Sequence, residues 1–351
     1  MVQPVSCGSP PTGPHSDSRR DGRSDSTRRT PSVGYVGGGE PARRFQQAAA
    51  DLGVELVVYS PGPTLPSGAS QEASHHLVAV TLDELVTRSS LITVGHGCDQ
   101  HTYSAVVEAA GPPLRPNPST IRFSHEPLAA RYHLQGYGFD VAEFEEIDAG
   151  DTAAVTRFAR HHGWPVRLRA ARWGTTAPTV HLVRPYSALD HVWGDTSGQL
   201  WLLDGCEPLV AHLTVVLARR PSGQQFVCAP VATGAQVCQP CQPLPLATSI
   251  VDQAIATATS IVDTLEATGI VTVNFLHSHD GRLLVDDLSY GPEPHPLRSA
   301  PTDHSVWLLH LRAILDLPID SVTTADSGRS TRAIVPPPVG LPPEDRATLS
   351  R

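Results

Sequence analysis

The sequence predicts an α/β opening followed by an α+β remainder, and three observations carry the prediction. Strand and helix patterns alternate from residue 32 to residue 110, as they do in a parallel sheet with crossover helices. The alternation begins with an apolar run at 33–36, the turn Gly37-Gly38-Gly39, a helix over 41–51 and a second strand over 54–59. Further along, apolar runs at 271–276 and 283–288 flank His279-Asp280-Gly281, and Asp-Gly between two such runs signals an antiparallel hairpin.

The elements follow in order. Pro41 stands in the first turn of its helix, where a missing N–H costs nothing. Gly37-x-Gly39-x-x-Ala42 fits a dinucleotide fingerprint, but Ser60 stands where the ribose-binding acid is expected. The competing reading is a glycine turn that packs helix against strand. A helix over 82–88, a strand over 91–94 and a helix over 103–110 come next. The Pro-rich connector 112–118 marks a domain boundary. A helix over 126–136 and strands at 141–147 and 166–172 follow. Residues 201–203 and 213–218 read as a strand pair. Ile250, Ala254, Ile261 and Leu265 give residues 249–268 near-helical spacing, closed by Gly269. A last helix covers 306–315.

Composition narrows the chemistry. The 351 residues suffice for two or three domains. The formal net charge is -9, and no basic run interleaves with aromatics, so nucleic acid is not an expected partner. No apolar stretch reaches membrane-spanning length, which predicts a soluble protein with no membrane partner, and scattered cysteines without a signal peptide predict a cytoplasmic one. All 26 basic residues are arginine. Schiff-base chemistry and a P-loop lysine are therefore excluded, and a phosphate must be held by Arg, His, backbone N–H groups or metal. Cys7, Cys98, Cys206, Cys228, Cys238 and Cys241 read as reduced thiols. Cys238-Gln239-Pro240-Cys241 is a lone C-x-x-C, and it reads as loop cysteines sooner than as zinc or redox ligands. Residues 1–31 read as a disordered tail and 320–351 as a flexible Pro-rich tail.

In order, several motifs resemble the PurK-type carboxyaminoimidazole ribonucleotide synthases of the ATP-grasp superfamily. These are the glycine turn with Arg43, Leu114-Arg115-Pro116-Asn117-Pro118, Gly163-Trp164-Pro165-Val166, the strand at 213–219, and His310-Leu311-Arg312-Ala313-Ile314-Leu315 with Leu317-Pro318. The resemblance implies a Rossmann-like preATP-grasp domain over 32–118, a first ATP-grasp lobe over 119–200, and a second lobe with the final helix over 201–319. It also implies a reaction in which ATP phosphorylates bicarbonate and the carboxyphosphate carboxylates the amine of aminoimidazole ribonucleotide. A homodimer is common in the family.

The same resemblance assigns site positions, and most are substituted. Two phosphate-binding lysines fall on Arg131 and Arg169, which keep the charge in a bulkier, planar group. The Gly-rich lid falls on 173–179, where Gly174, Thr175 and Thr176 are the remaining phosphate candidates. The adenine-reading acid falls on Asp204, with Gly205, Cys206 and Glu207 offering backbone groups, and the ribose-side acid falls on His212. The Mg²⁺ acids fall on Asn274 and Asp287, with Asp286 beside it, and Arg169 and Asp287 are the catalytic candidates. As neighbours on a strand, Asp286 and Asp287 are expected on opposite faces. Gly38, Gly39 and Arg43 would touch the substrate. The ribonucleotide-binding run falls on 290–297 and keeps only Pro292. The expectation is a PurK-like protein using ATP and Mg²⁺ with weakened activity; the alternatives are a nucleotide-binding or regulatory relative without ligase activity and an unrelated Rossmann oxidoreductase.

Overall fold

The computed structural model describes residues 31–60, 78–95, 98–109, 111–171, 180–184, 190–193, 199–205, 209–228, 230–234, 246–292 and 303–319. Of the two segments read as tails, residues 1–30 of the first and all of 320–351 lie outside them.

The opening is a parallel sheet. Strands β1 (Ser32–Val36), β2 (Glu55–Tyr59), β3 (Val78–Ala79) and β4 (Leu91–Val94) lie in the order β3-β2-β1-β4. β1 is buried along its whole length, as a parallel strand covered on both faces must be. Helix α1 (Gly39–Asp51) covers one face through Ala42, Phe45, Ala48 and Ala49. Helices α2 (Leu82–Arg88) and α3 (Gln100–Glu108) cover the other, with Leu85, Tyr103 and Val106 packed on Val36, Val57 and Val94. A complete capping box starts α2, since Thr81 and Glu84 satisfy each other's backbone N–H. The glycine turn is a packing requirement. A Cβ on Gly37, whose φ is +152°, would lie 2.8 Å from the Tyr35 ring, and one on Gly95 would lie 2.4 Å from the Tyr35 hydroxyl.

The connector holds more structure than its prolines suggest. Helix α4 (Pro118–His125) precedes α5 (Pro127–Gly136). Asn117 caps α4 by accepting from the Thr120 N–H at 2.8 Å, and its amide N–H₂ donates to the Leu265 and Glu266 carbonyls. The sequence reading missed α4 because it took the Asn-Pro start for a linker rather than for a cap followed by proline in the first turn.

A second, antiparallel sheet follows. It contains β5 (Phe144–Asp148), β6 (Val166–Ala170), β7 (Val180–Val183) and β8 (Leu200–Gly205) in the order β5-β8-β6-β7. Helix α6 (Thr152–His162), which the sequence reading also missed, buries Ala154, Val155 and Phe158 against this sheet. The short α7 (Asp190–Trp193) adds Trp193, packed edge-on to Trp201. Residues 201–203 do not pair with 213–218 as expected. They hydrogen-bond to β5 and β6, so the break between sheets comes after Gly205 rather than at 200.

The third sheet is built on β9 (Leu209–Arg219). Its order is β10-β9-β12-β13, where β10 is Gln225–Val227, β12 is Gly269–Ser278 and β13 is Leu283–Tyr290; β11 (Val231–Gly234) lies off this path and also pairs with β9. Helix α8 (Thr248–Thr264) lays Ala254, Ala258, Ile261 and Val262 on it. One irregularity matters later. Asn274 faces Asp287 and Phe275 faces Val285, so Asp286 is the extra residue of a β-bulge.

Helix α9 (Asp303–Ile314) ties the first sheet to the third. Trp307, Leu311 and Ile314 pack with Phe45 of α1, whereas Leu309 and Ala313 pack on Val216, Ala218 and Ile270. His310, 1 % exposed, accepts from the Ile270 N–H through Nδ1 at 3.0 Å. Its Nε2 lies 3.1 Å from the Thr93 hydroxyl.

Candidate functional site

Strand alternation places Arg167 and Arg169 on one face of β6. Arg167 lies directly across from Asp204 of β8, and opposite charges in that position attract. From α5, Arg131 enters the same space and is 1 % exposed. From β13, the bulge turns Asp286 toward all three guanidiniums. Five side chains from four elements thus form one network.

The bonds are dense. Arg167 donates from Nε to Asp204 Oδ1 at 2.8 Å and from Nη2 to Asp286 Oδ1 at 2.7 Å. Arg131 donates from Nη2 to Asp286 Oδ1 at 2.8 Å and from Nη1 to the Val285 carbonyl at 2.6 Å, and Nη2 also reaches Asp204 Oδ2 at 3.4 Å. Arg169 Nη2 donates to Asp204 Oδ2 and, at 3.3 Å, to Asp286 Oδ1. Asp204 has no exposed surface. Charges so buried persist only when matched, because desolvation costs several kcal/mol per ion.

The titration behaviour follows. Burial pushes the Asp204 and Asp286 carboxyls up, and the charges of Arg167, Arg169 and Arg131 outweigh it, holding both below the usual aspartate range. Burial, then the neighbouring Arg169 charge, pushes Arg131 down to about 10. Asp287 goes the other way, because burial and the charge of Asp286 raise it against Arg169. His212, half-buried on β9, is lowered by burial.

Next to the network lies a cavity of about 220 Å³, lined by α4 and α5 on one side and by Arg169, Asn274, Asp286 and Asp287 on the other. Pockets for drug-sized ligands run to about 300–1,000 Å³, so this one does not take a nucleoside triphosphate as it stands. Asp286 and Asp287 both line it, contrary to the expectation of opposite faces, because the bulge breaks the two-residue period.

Asp287 accepts from Asn274 Nδ2 at 2.5 Å, and Asn274 Oδ1 accepts from the Thr214 hydroxyl at 2.8 Å. With its amide N–H₂ turned to the carboxylate, Asn274 presents no oxygen beside it. Among the described residues, no three His, Cys, Asp or Glu side chains group as metal ligands. The donor set therefore does not fit a resident Mg²⁺, a hard cation that demands octahedral oxygen.

The remaining sequence-predicted residues lie apart or outside. Gly38 caps α1 without a side chain, Gly39 begins that helix at φ +66°, and Arg43 forms an exposed pair with Glu40 at 2.9 Å. Gly205 ends β8. Gly174, Thr175, Thr176, Cys206, Glu207, Cys7, Cys238, Cys241 and positions 293–297 lie outside the described residues. Cys98 is described and buried, and burial pushes its thiol up to about 12. Tyr290, at the start of the expected ribonucleotide run, is fully buried. Its hydroxyl donates to the Gly95 carbonyl at 3.3 Å and lies 3.1 Å from His125 Nε2. No helix is long and apolar enough to cross a membrane among the described residues.

Sequence reasoning omitted Arg167 from the site, although its two-residue spacing from Arg169 was the signal that could have found it. The His125–Tyr290 contact carried no such signal, since it joins α4 to β13 across 165 residues.

Comparison with known proteins agrees with this architecture. Residues 132–296 match the ATP-grasp domain family. The N5-carboxyaminoimidazole ribonucleotide synthase of Mycobacterium leprae is 28% identical over 82% of this chain and 69% of its own length. The phosphoribosylaminoimidazole carboxylase of Schizosaccharomyces pombe is 24% identical over 86% of this chain, which spans only 56% of that protein. Among solved structures, the N5-carboxyaminoimidazole ribonucleotide synthetase of Thermotoga maritima superposes with a TM-score of 0.64 at 21% identity, covering 83% of this chain and 77% of that one. An Aspergillus clavatus synthase, solved in complex with ADP and 5-aminoimidazole ribonucleotide, gives 0.65 at 18% over 83% and 78%. The parallel opening sheet and the two antiparallel sheets that follow have the fold of these structures, and residues 132–296 carry the match to an ATP-grasp domain. Within that superfamily, the relatives and solved structures that this chain resembles are of the PurK type.

Proposed function

We propose that this chain is a PurK-like protein of purine biosynthesis in which ATP-dependent carboxylation of aminoimidazole ribonucleotide is weakened, because its own ion pairs occupy the nucleotide cleft. The observation that carries this reading is the network of Arg131, Arg167, Arg169, Asp204 and Asp286. By resemblance, Arg131 and Arg169 stand where lysines hold ATP phosphates, and Asp204 stands where an acid reads adenine. In a working site, positive groups await the charge that develops on the transferring phosphoryl group, and that preorganisation lowers the barrier. Here the same guanidiniums are bonded to carboxylates. An entering triphosphate must displace Asp204 and Asp286 from charge-assisted hydrogen bonds. The loss falls on the transition state, so kcat drops along with affinity. Cytoplasmic location and a homodimer belong to the same reading by resemblance.

Phosphate release from ATP, with aminoimidazole ribonucleotide and bicarbonate present, tests the proposal. The expected rate is above the uncatalysed background but at least about a hundredfold below the enzymatic median of about 10 s⁻¹; turnover near that median, or no release above background, would overturn it. Retention of three arginines in the cleft favours a second reading, a nucleotide-binding or regulatory relative without turnover. Binding of Mg-ATP without phosphate release separates the two.

A further inference from the structure

We propose that the cavity beside the ion network is a binding site for a small, uncharged, ring-sized molecule carrying one N–H donor, seated with that donor on Asp287. The inference rests on the reading above, in which the guanidiniums stay committed to their carboxylates.

Size comes first. The cavity of about 220 Å³ is larger than the roughly 150 Å³ apolar cavity that takes up benzene in an engineered protein. It therefore admits a single ring with a short substituent and excludes a nucleotide. Its walls divide by chemistry. Phe123, Ala130, Leu134 and Leu288 form an apolar side from α4, α5 and β13. Asp287, with Arg169 behind it, forms the polar end.

Charge selects the ligand's class. Three guanidiniums, of Arg131, Arg167 and Arg169, already face three carboxylates, of Asp204, Asp286 and Asp287. A ligand bringing a net charge of either sign would upset that balance in a desolvated space, where unmatched charge is costly. A neutral one does not. Hydrogen-bonding capacity selects its polar group. Among the described residues Asn274 donates to Asp287 Oδ1, and no other described donor reaches the carboxylate. A carboxylate has room for further donors, and a hydrogen bond to a charged group contributes enough to shift affinity by about tenfold or more.

The test uses benzamide as the neutral donor, with toluene, benzoate and benzylamine as the uncharged non-donor, anionic and cationic controls. Each is titrated calorimetrically into the full chain, with Mg-ATP titrated separately in the same buffer. Benzamide should bind at least about tenfold tighter than each control. Asp287→Asn should erase its advantage over toluene. Ala130→Leu, which fills the cavity from a helix position that accepts leucine, should abolish binding of both. The inference is overturned if benzamide binds no tighter than toluene, if either charged probe binds tighter, or if Ala130→Leu leaves binding intact. Tight Mg-ATP binding sinks the weakened-ligase reading instead, and it is read independently of the benzamide series.

Discussion

Asp204 is the residue on which most of the site's electrostatics converge. It accepts from Arg167, Arg169 and Arg131 with no exposed surface. Replacing it by asparagine keeps the shape and removes the charge, so three guanidiniums are left with one full partner fewer. Asp204→Asn should therefore cost about 3–5 kcal/mol in urea unfolding; a loss below about 1 kcal/mol would show that the network contributes little. Acid should erase this difference. Asp204 and Asp286 are held below the usual aspartate range. Carboxyls lowered on folding contribute stability that is whole above the unfolded pKa of about 3.9 and is lost as pH falls through the lowered folded value. The gap between wild type and Asp204→Asn should thus narrow progressively below about pH 4. A gap independent of pH contradicts the assignment. Arg131, Arg169 and Asp204 were each picked out from the sequence as site candidates. Their bonding to one another was not, because it depends on which residues of β6 and β8 lie opposite, and the sequence carries no register for that pair.

Among elements, the β13 bulge shows where pattern reasoning stops. Period-two alternation separates Asp286 from Asp287, and one extra residue against β12 puts both beside the same cavity. Hydrophobic periodicity located α1, α2, β4 and α8 closely, because each buries one continuous face. It failed on α4, whose start is marked by Asn117 and Pro118 rather than by an apolar stripe. The junction of β12 with α9 offers a sharp test. Gly269 has φ +87°, and a Cβ there would lie 2.7 Å from His310 Cε1. Gly269→Ala combines a strained backbone with a clash against the ring that accepts from the Ile270 N–H. It should destabilise by about 2 kcal/mol or more, read as a lower thermal midpoint, whereas Gly223→Ala, also at positive φ but with nothing near its Cβ, should cost less. Equal losses at the two positions would mean that the His310 contact has no part in holding α9.

At the scale of the molecule, the network spans the two antiparallel sheets. Arg167, Arg169 and Asp204 belong to the β5-β8-β6-β7 sheet, and Asp286 belongs to the sheet containing β9, β12 and β13. Arginine–aspartate bonds thus join the two sheets directly. The fold was readable because its motifs recur in order along the chain. The state of the cleft was not, since it depends on side chains more than 100 residues apart, Arg167 and Asp286 among them. The measurement that bears most directly on this account is calorimetric titration of Mg-ATP into the wild-type chain and into Asp286→Asn. The account predicts a wild-type Kd weaker than about 1 mM and binding at least about tenfold tighter once Asp286 no longer competes for Arg131, Arg167 and Arg169. A micromolar wild-type Kd, unchanged by Asp286→Asn, would contradict it.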